Sequence, residues 1–383
     1  MEFEYPLIGT VLLTVAAALI VSFLMTPPVK SLAYKVGAID VPKDNRRMHK
    51  TPIPRLGGLA IFIGFMFSTL VFNEVDTQMR GILLGAVIIV VLGVVDDITP
   101  LPAMLKFVVQ ILAALVPISH GVVIQALSNP NIFSGNAYWV LGGLSIPITV
   151  IWIVGITNAV NLIDGLDGLA NGVSAICAAT MLIIALLVAD GSVAISMAAL
   201  VGACVGFMPY NTNPAKMFMG DTGATFLGFI LATMSIQGLF KFYALISFAV
   251  PFLILGLPIF DTAFAMIRRI AKGQSPMKPD RSHVHHRLID MGLNQKQAVA
   301  TLYVISAILG MSAVVLTTSG ELKAMMFFVT LCVVAAVAAR VVFPKEVQEG
   351  LREEMAELMD PTHHKAAQQE TEEKPESGEG ETK

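Results

Sequence analysis

The chain has 383 residues, of which 55% are hydrophobic and only 14% charged, with a mean hydropathy of +0.73 and a formal net charge of -3. Apolar runs such as 7–25 and 325–343 recur along its length, too many for a water-soluble domain to hide, which excludes a soluble enzyme and predicts an all-α, polytopic integral membrane protein. The three cysteines, Cys177, Cys204 and Cys332, all fall inside apolar stretches, which argues against a disulfide framework and against a cysteine-based metal site.

The opening residues Met1 to Tyr5 carry no basic group and no small-residue cleavage site follows the first apolar run, so that run is expected to stay as a helix. Eleven spans are expected, at 7–26, 56–72, 80–95, 101–119, 146–160, 168–189, 192–209, 222–240, 242–267, 298–317 and 323–343. Segments 27–55 and 268–297 each hold seven Lys or Arg, whereas 120–145 holds none, so the two basic segments are expected on the cytoplasmic side. Alternation then places the amino terminus outside and puts Asp96, Asp97, Asp164, Asp167 and Asp221 together on the basic side. Segment 120–145, with Asn129, Pro130, Gly135 and Gly142 as turn signals, is expected outside as a small hairpin without chemistry. Two regions result: a transmembrane domain over 1–343 and an acidic, disordered tail over 344–383. The tail holds twelve acids and five bases, leaving the membrane body with 20 bases and 16 acids. It opens with an amphipathic stretch from Val347 to Leu358 and then becomes too polar to bury a core. No internal repeat is visible.

Between Glu74 and Glu321 there are ten aspartates and no glutamate, so every acid of the membrane body there is the shorter carboxylate. Asp96 and Asp97 close the third span, where the negative end of the helix dipole disfavours them; a cap on the fourth span by Asp97 or Thr99 would need only one such residue, and a functional role is the better reading. Lys106 lies one to two turns into the fourth span and either snorkels to the interface or reaches back to phosphates gathered at the aspartate pair. Asn158, Asn161 and Asp164 recur at three-residue steps on one helix face, followed by Gly165, Asp167 and Gly168. Such hard oxygen donors suit magnesium; an ordinary Asx-rich turn is the equal alternative. Asp221 opens the eighth span near its N-cap, as a plain cap, as a ligand for a metal carried on phosphate, or both. Asp261, after Pro258, is a second ionisable group within a span, and the proline predicts a bent or broken helix. The run Arg281, His283, His285, His286 and Arg287 packs five cations into seven residues and points to pyrophosphate rather than zinc, since adjacent histidines seldom share one metal.

Taken together, His49 to Gly58, Val94 to Asp97, Thr157 to Gly168, Met219 to Gly223 and His283 to Leu288 resemble, in sequence and in order, the polyprenyl-phosphate N-acetylhexosamine-1-phosphate transferase family over about residues 47–293. Pro54-Arg55 and His286-Arg287-Leu288 resemble the branch that starts teichoic acid or O-antigen-type polymers with N-acetylglucosamine; the peptidoglycan branch, which handles the muramyl-pentapeptide nucleotide, typically has histidine where Arg287 stands. The resemblance implies transfer of GlcNAc-1-phosphate from UDP-GlcNAc to undecaprenyl phosphate with release of UMP, dependence on Mg²⁺ with Mn²⁺ as the alternative ion, and a multi-pass protein of the inner (cytoplasmic) membrane whose transmembrane catalytic domain has about ten or eleven helices around a cytoplasmic-face cleft. The implied partners are those two substrates, membrane lipid and a second copy of the chain, with no nucleic acid. By the same resemblance, Asp96, Asp97 and Asp221 are catalytic, Asp221 and Asn161 hold the metal, and Lys106, Arg281, His283, His285 and His286 bind phosphate. Asn158, Asp164, Asp167 and Arg55 would contact nucleotide or sugar. A secondary transporter is the rival from another class, but its ionisable groups would gather near the midplane between repeats.

Overall fold

A computed structural model describes residues 5–42, 51–128, 138–188, 190–240, 249–271 and 283–319, together with 323, 325–330 and 332. The eleventh expected span, Arg281 and the whole acidic tail with its amphipathic stretch lie outside or almost outside these residues.

Among the described residues the protein is built of helices: α1 (Tyr5–Val36), α2 (Gly57–Phe72), α3 (Thr77–Ile98), α4 (Ala103–Ser119), α5 (Ser145–Leu162), α6 (Leu169–Leu187), α7 (Gly191–Asn211) and α8 (Gly220–Ser235), then α9 (Ala249–Ile254), α10 (Gly256–Ala271), α11 (Val284–Asp290) and α12 (Gln295–Ser319). Six described helices are long and apolar enough to cross a membrane, and α2 and α4 are shorter apolar helices of 16 and 17 residues. This is a multi-pass, all-α membrane protein. Two boundaries differ from expectation. α1 runs through Pro27 and Pro28 into the basic segment instead of ending near residue 26, since a membrane helix tolerates a lost backbone bond where neighbouring helices support it. The expected span 242–267 is two helices, α9 and α10, parted at Leu255; Pro258 falls in the first turn of α10, where its missing N–H costs nothing.

Helix–helix packing in lipid gains little from the hydrophobic effect and relies on close backbone approach over small residues. Gly202 and Gly206 of α7 lie against the backbone of Val15 and Leu19 in α1, and Gly64 of α2 lies against Ala18 and Ser22 of the same helix. At the other side of α2, Gly58 meets Gly223 of α8, and Gly93 of α3 meets Thr222 of α8. The core α8 is buried almost throughout, with Phe226 edge-on to Phe62 and Phe65 of α2 at centroid distances of 5.4 and 5.5 Å. Two small antiparallel ribbons complete the fold. The pair β1 (Ile39–Asp40) and β2 (Ile53–Pro54) aligns Ile39 with Pro54, and β3 (Ala126–Ser128) and β4 (Tyr138–Val140) form the hairpin expected between α4 and α5.

Candidate active site

The end of β2, the first residues of α2 and the segment leading into α8 are stitched together by backbone bonds at one end of the bundle. Phe218 N–H donates to the Pro54 carbonyl at 2.8 Å, while Gly57 and Gly58 N–H groups donate to the Phe218 and Met219 carbonyls at 2.9 and 2.8 Å. The entries to α2 and α8 are thereby held side by side, with the carboxyl end of α3 behind them.

Asp97 sits in this junction. Its Oδ1 accepts from Arg55 Nε at 3.0 Å and from the Asp221 N–H at 3.0 Å, and lies 2.9 Å from Arg55 Nη2. Its Oδ2 accepts from the Thr222 N–H at 3.0 Å and from the Thr222 hydroxyl at 2.6 Å. The carboxylate of one helix therefore caps another, and the lone pairs of both oxygens are taken. Asp221, expected near the N-cap, lies inside the first turn of α8, and Met219 is the capping residue without a side-chain bond. The N–H groups of Asp221 and Thr222 are thus spoken for, which corrects the expectation that this helix start offers them to phosphate. Nor does Asp97 or Thr99 cap α4, whose N-cap is Pro102.

Asp96 faces the other way. Its Oδ1 accepts from the Leu101 N–H at 2.7 Å, and its Oδ2 accepts from Lys106 Nζ at 2.9 Å. Lys106 also donates to Asp221 Oδ2 at 3.0 Å, and Asp221 Oδ1 lies 3.8 Å from Arg55 Nη2. The lysine therefore turns back toward the aspartate pair rather than only toward the interface. The Arg55 guanidinium loses hydration in this crevice, but the charges of Asp97 and Asp221 outweigh that loss and hold its pKa above the ordinary value.

Beside these groups opens a cavity of about 630 Å³, lined by Arg55, Asn161, Asp164, Asp167, Asp221 and His286 among others. Asp164 lies in the turn after α5. Burial, then the negative charges of Asp221 and Asp97, push its pKa up to about 7. Asp167 braces the opposite wall, its Oδ2 accepting from Asn213 Nδ2 at 2.9 Å and from the Ala215 N–H at 3.0 Å. Among the described residues no hydrogen bond or ion pair engages the side chains of Asn161 or Asp164, and both line the cavity.

Two expected groups sit elsewhere. Asn158 does not line the cavity: its Nδ2 donates to Gln110 Oε1 at 2.6 Å and to the Val154 carbonyl at 2.8 Å, tying α5 to α4. The three-residue repeat overstated the shared face because α5 ends at Leu162, before Asp164. Within the histidine loop His286 lines the cavity, whereas His283 and His285 are buried. His285 stacks on His283 with ring centroids 5.8 Å apart and lies against Gly165; burial, then the neighbouring His286, pushes its pKa down to about 4. Arg281 lies outside the described residues. Sequence reasoning missed Thr222, Gln110 and Asn213. For Thr222 a signal existed, a hydroxyl beside Asp221; the other two depend on which helices become neighbours.

A hard divalent cation suits this donor set. Among the described residues, Asp96, Asp97, Asp164 and Asp221 face only Lys106 and Arg55 as cationic partners, so negative charge is left over there, and Asn161 and Asp164 present oxygens to the cavity. No cluster of three His, Cys, Asp or Glu with metal-binding spacing occurs among the described residues, so such an ion would draw on the asparagine and on bound phosphate oxygens as well.

Comparison with known proteins agrees. Residues 79–239 match the model of glycosyl transferase family 4. A Bacillus subtilis protein named "Probable undecaprenyl-phosphate N-acetylglucosaminyl 1-phosphate transferase" is 45% identical over 315 residues, 80% of this chain and 86% of the relative. The Mycobacterium tuberculosis (strain ATCC 25618 / H37Rv) decaprenyl-phosphate N-acetylglucosaminephosphotransferase is 34% identical over 328 residues, covering 77% and 80%. The Escherichia coli K12 undecaprenyl-phosphate alpha-N-acetylglucosaminyl 1-phosphate transferase is 29% identical over 306 residues, covering 78% and 83%. With aspartates from three separate chain segments drawn to the neighbourhood of one cavity and relatives aligned over most of both lengths, the chain belongs to glycosyl transferase family 4.

Proposed function

We propose that the protein transfers GlcNAc-1-phosphate from UDP-GlcNAc to undecaprenyl phosphate, releasing UMP and forming the lipid-linked first sugar of a cell-envelope polysaccharide. The observation that carries this reading is the gathering of Asp96, Asp97, Asp164 and Asp221 with Lys106 and Arg55 at the rim of one polar cavity in a membrane helix bundle. A charged nucleotide sugar and a membrane-bound lipid phosphate meet only at an interface, and a transporter has no need of such a reaction chamber at the bundle's end. The basic segments support placing that end at the cytoplasmic face of the inner membrane.

The lipid phosphate oxygen attacks the β-phosphorus of the nucleotide sugar, a new phosphoanhydride bond forms, and the bond to the UMP oxygen breaks. The second pKa of a phosphate monoester is about 6, so near neutrality the nucleophile is already mostly dianionic and a general base adds little. This fits Asp97, whose oxygens are occupied: it positions Arg55 and the start of α8. Lys106 is the mobile cation beside the reacting phosphates, drawn between Asp96 and Asp221 until substrate competes for it. Magnesium, or manganese in its place, would be held by Asp221 and Asn161 and would supply neutralisation of charge on the phosphate oxygens. His286, Asp164, Asp167 and Arg55 line the space left for nucleotide and sugar.

Purified protein incubated with undecaprenyl phosphate, magnesium and UDP-GlcNAc is expected to release UMP, and to release none with the UDP-muramyl-pentapeptide. UMP from the peptide nucleotide alone would move the protein to the peptidoglycan reaction, and vesicle uptake of solute without UMP would support a transporter. Serving teichoic acid or an O-antigen is part of the same proposal, tested by which polymer disappears when the protein is depleted.

A further inference from the structure

Asp261 takes no part in the reaction described above, yet it is a buried carboxylate on α10. Its Oδ2 lies 2.9 Å from His283 Nδ1, and its Oδ1 accepts from the Val284 N–H at 2.8 Å. Both partners stand at the start of α11, the seven-residue helix that carries His285 and His286. From that anchored start, His285 is stacked over His283 and presses on Gly165 of the turn that holds Asp164 and Asp167, and His286 enters the cavity wall. Arg287 of the same short helix also lies over the Phe264 ring of α10, 6.0 Å from its centroid, as a second contact between the two helices.

We propose that Asp261 is a positioning residue for the nucleotide-sugar half of the site, acting through His283 to hold His286 and the Gly165 turn in register; for its substrate this rests on the function proposed above. A buried carboxylate without partners would be costly, and its two-oxygen grip on both the His283 ring nitrogen and the Val284 N–H fixes direction as well as distance. No atom of Asp261 lines the reaction cavity, so its effect is expected in substrate placement rather than in the chemical step.

The test measures KM and kcat for both substrates in Asp261→Asn, His283→Ala and His283→Asn, the last keeping an N–H donor near the place of Nδ1. Asp261→Asn and His283→Ala are each expected to raise the KM for UDP-GlcNAc about tenfold, the scale of one lost charge-assisted hydrogen bond, with the lipid KM within about twofold and His283→Asn within about threefold of the parent. The Asp261→Asn, His283→Ala double variant is expected to match either single one, because both remove the same contact. In parallel, a His286→Cys reporter in a chain whose three cysteines are replaced by alanine reads the loop without substrate: Asp261→Asn is expected to speed its maleimide labelling about fivefold by freeing α11. Unchanged nucleotide KM with a fall in kcat alone, equal loss in His283→Asn and His283→Ala, additive losses in the double variant, or unaltered labelling each overturn the proposal. If the parent chain releases no UMP from UDP-GlcNAc, the proposed function is lost, while the labelling still decides whether Asp261 anchors the loop. Should Asp261→Asn fail to fold, the two His283 variants carry the same comparison.

Discussion

Asp97 shows how much a single carboxylate can be asked to do. Five contacts from Arg55, Asp221 and Thr222 leave it no free lone pair, so its replacement by Asn is expected to lower kcat at least about a hundredfold at every pH from 6 to 9, as misplacement of neighbouring groups does. Recovery of activity at high pH would instead mark Asp97 as a base, and a pH–rate profile of Asp97→Asn separates the two. Removing only the 2.6 Å hydroxyl donor, in Thr222→Val, should cost about tenfold by the same assay. Asp164 supplies a pH test of the charge cluster. Its folded pKa, about 7, lies above the ordinary carboxylate value of 3.8, so the folded protein holds an extra proton between those values. In metal-free protein this group therefore favours folding at low pH, and its contribution is lost as pH rises toward and through 7. Asp164→Asn, neutral throughout, is expected to unfold at the parent temperature near pH 4, apart from any fixed packing difference, and to gain steadily in melting temperature over the parent as pH rises to about 7, keeping the full gain at pH 8. A difference that stays constant with pH would show that Asp164 is not held protonated by its neighbours.

At the scale of elements, the site depends on how closely α2, α3 and α8 approach. A methyl group at Gly58 would overlap backbone atoms of Gly223, and one at Gly93 would overlap the Thr222 backbone, which cannot swing aside as a side chain can. Gly58→Ala is expected to destabilise the folded protein by about 1–3 kcal/mol and to cut activity with it, whereas Gly143→Ala, just before α5 with open space around it, should change neither. Thermal unfolding in detergent checks both. Gly220 is restricted for another reason: its φ of +72° belongs to the left-handed region, and it aims the start of α8 at Asp97. The composition of Met219 to Gly223 signalled a helix start and an acidic group at it. That the cap would come from a carboxylate 124 positions earlier in the chain was invisible, because capping across helices depends on which helix ends are neighbours.

At the scale of the molecule, one end of the bundle carries the aspartates and the cavity, and the β3–β4 hairpin lies between α4 and α5 at the chain's uncharged loop. Single cysteines are expected to report opposite sides of the membrane: one at Asn213, in the cavity wall, labelled from the cytoplasm, and one at Gly121, after α4, labelled from outside. Labelling of both from one side would refute the orientation. The amino-acid sequence alone determined the membrane class, most of the helices and the family, because hydropathy and short motifs are local properties of the chain. Only the tertiary structure decided that Asp97 is saturated, that Lys106 turns to Asp96 and Asp221, that Asn158 serves Gln110 instead of the cavity, and that Asp261 holds the histidine loop. Each of these is a meeting between residues far apart in sequence, and which side chains meet is fixed by helix packing over small residues, where no periodicity along one strand of sequence reveals the partner.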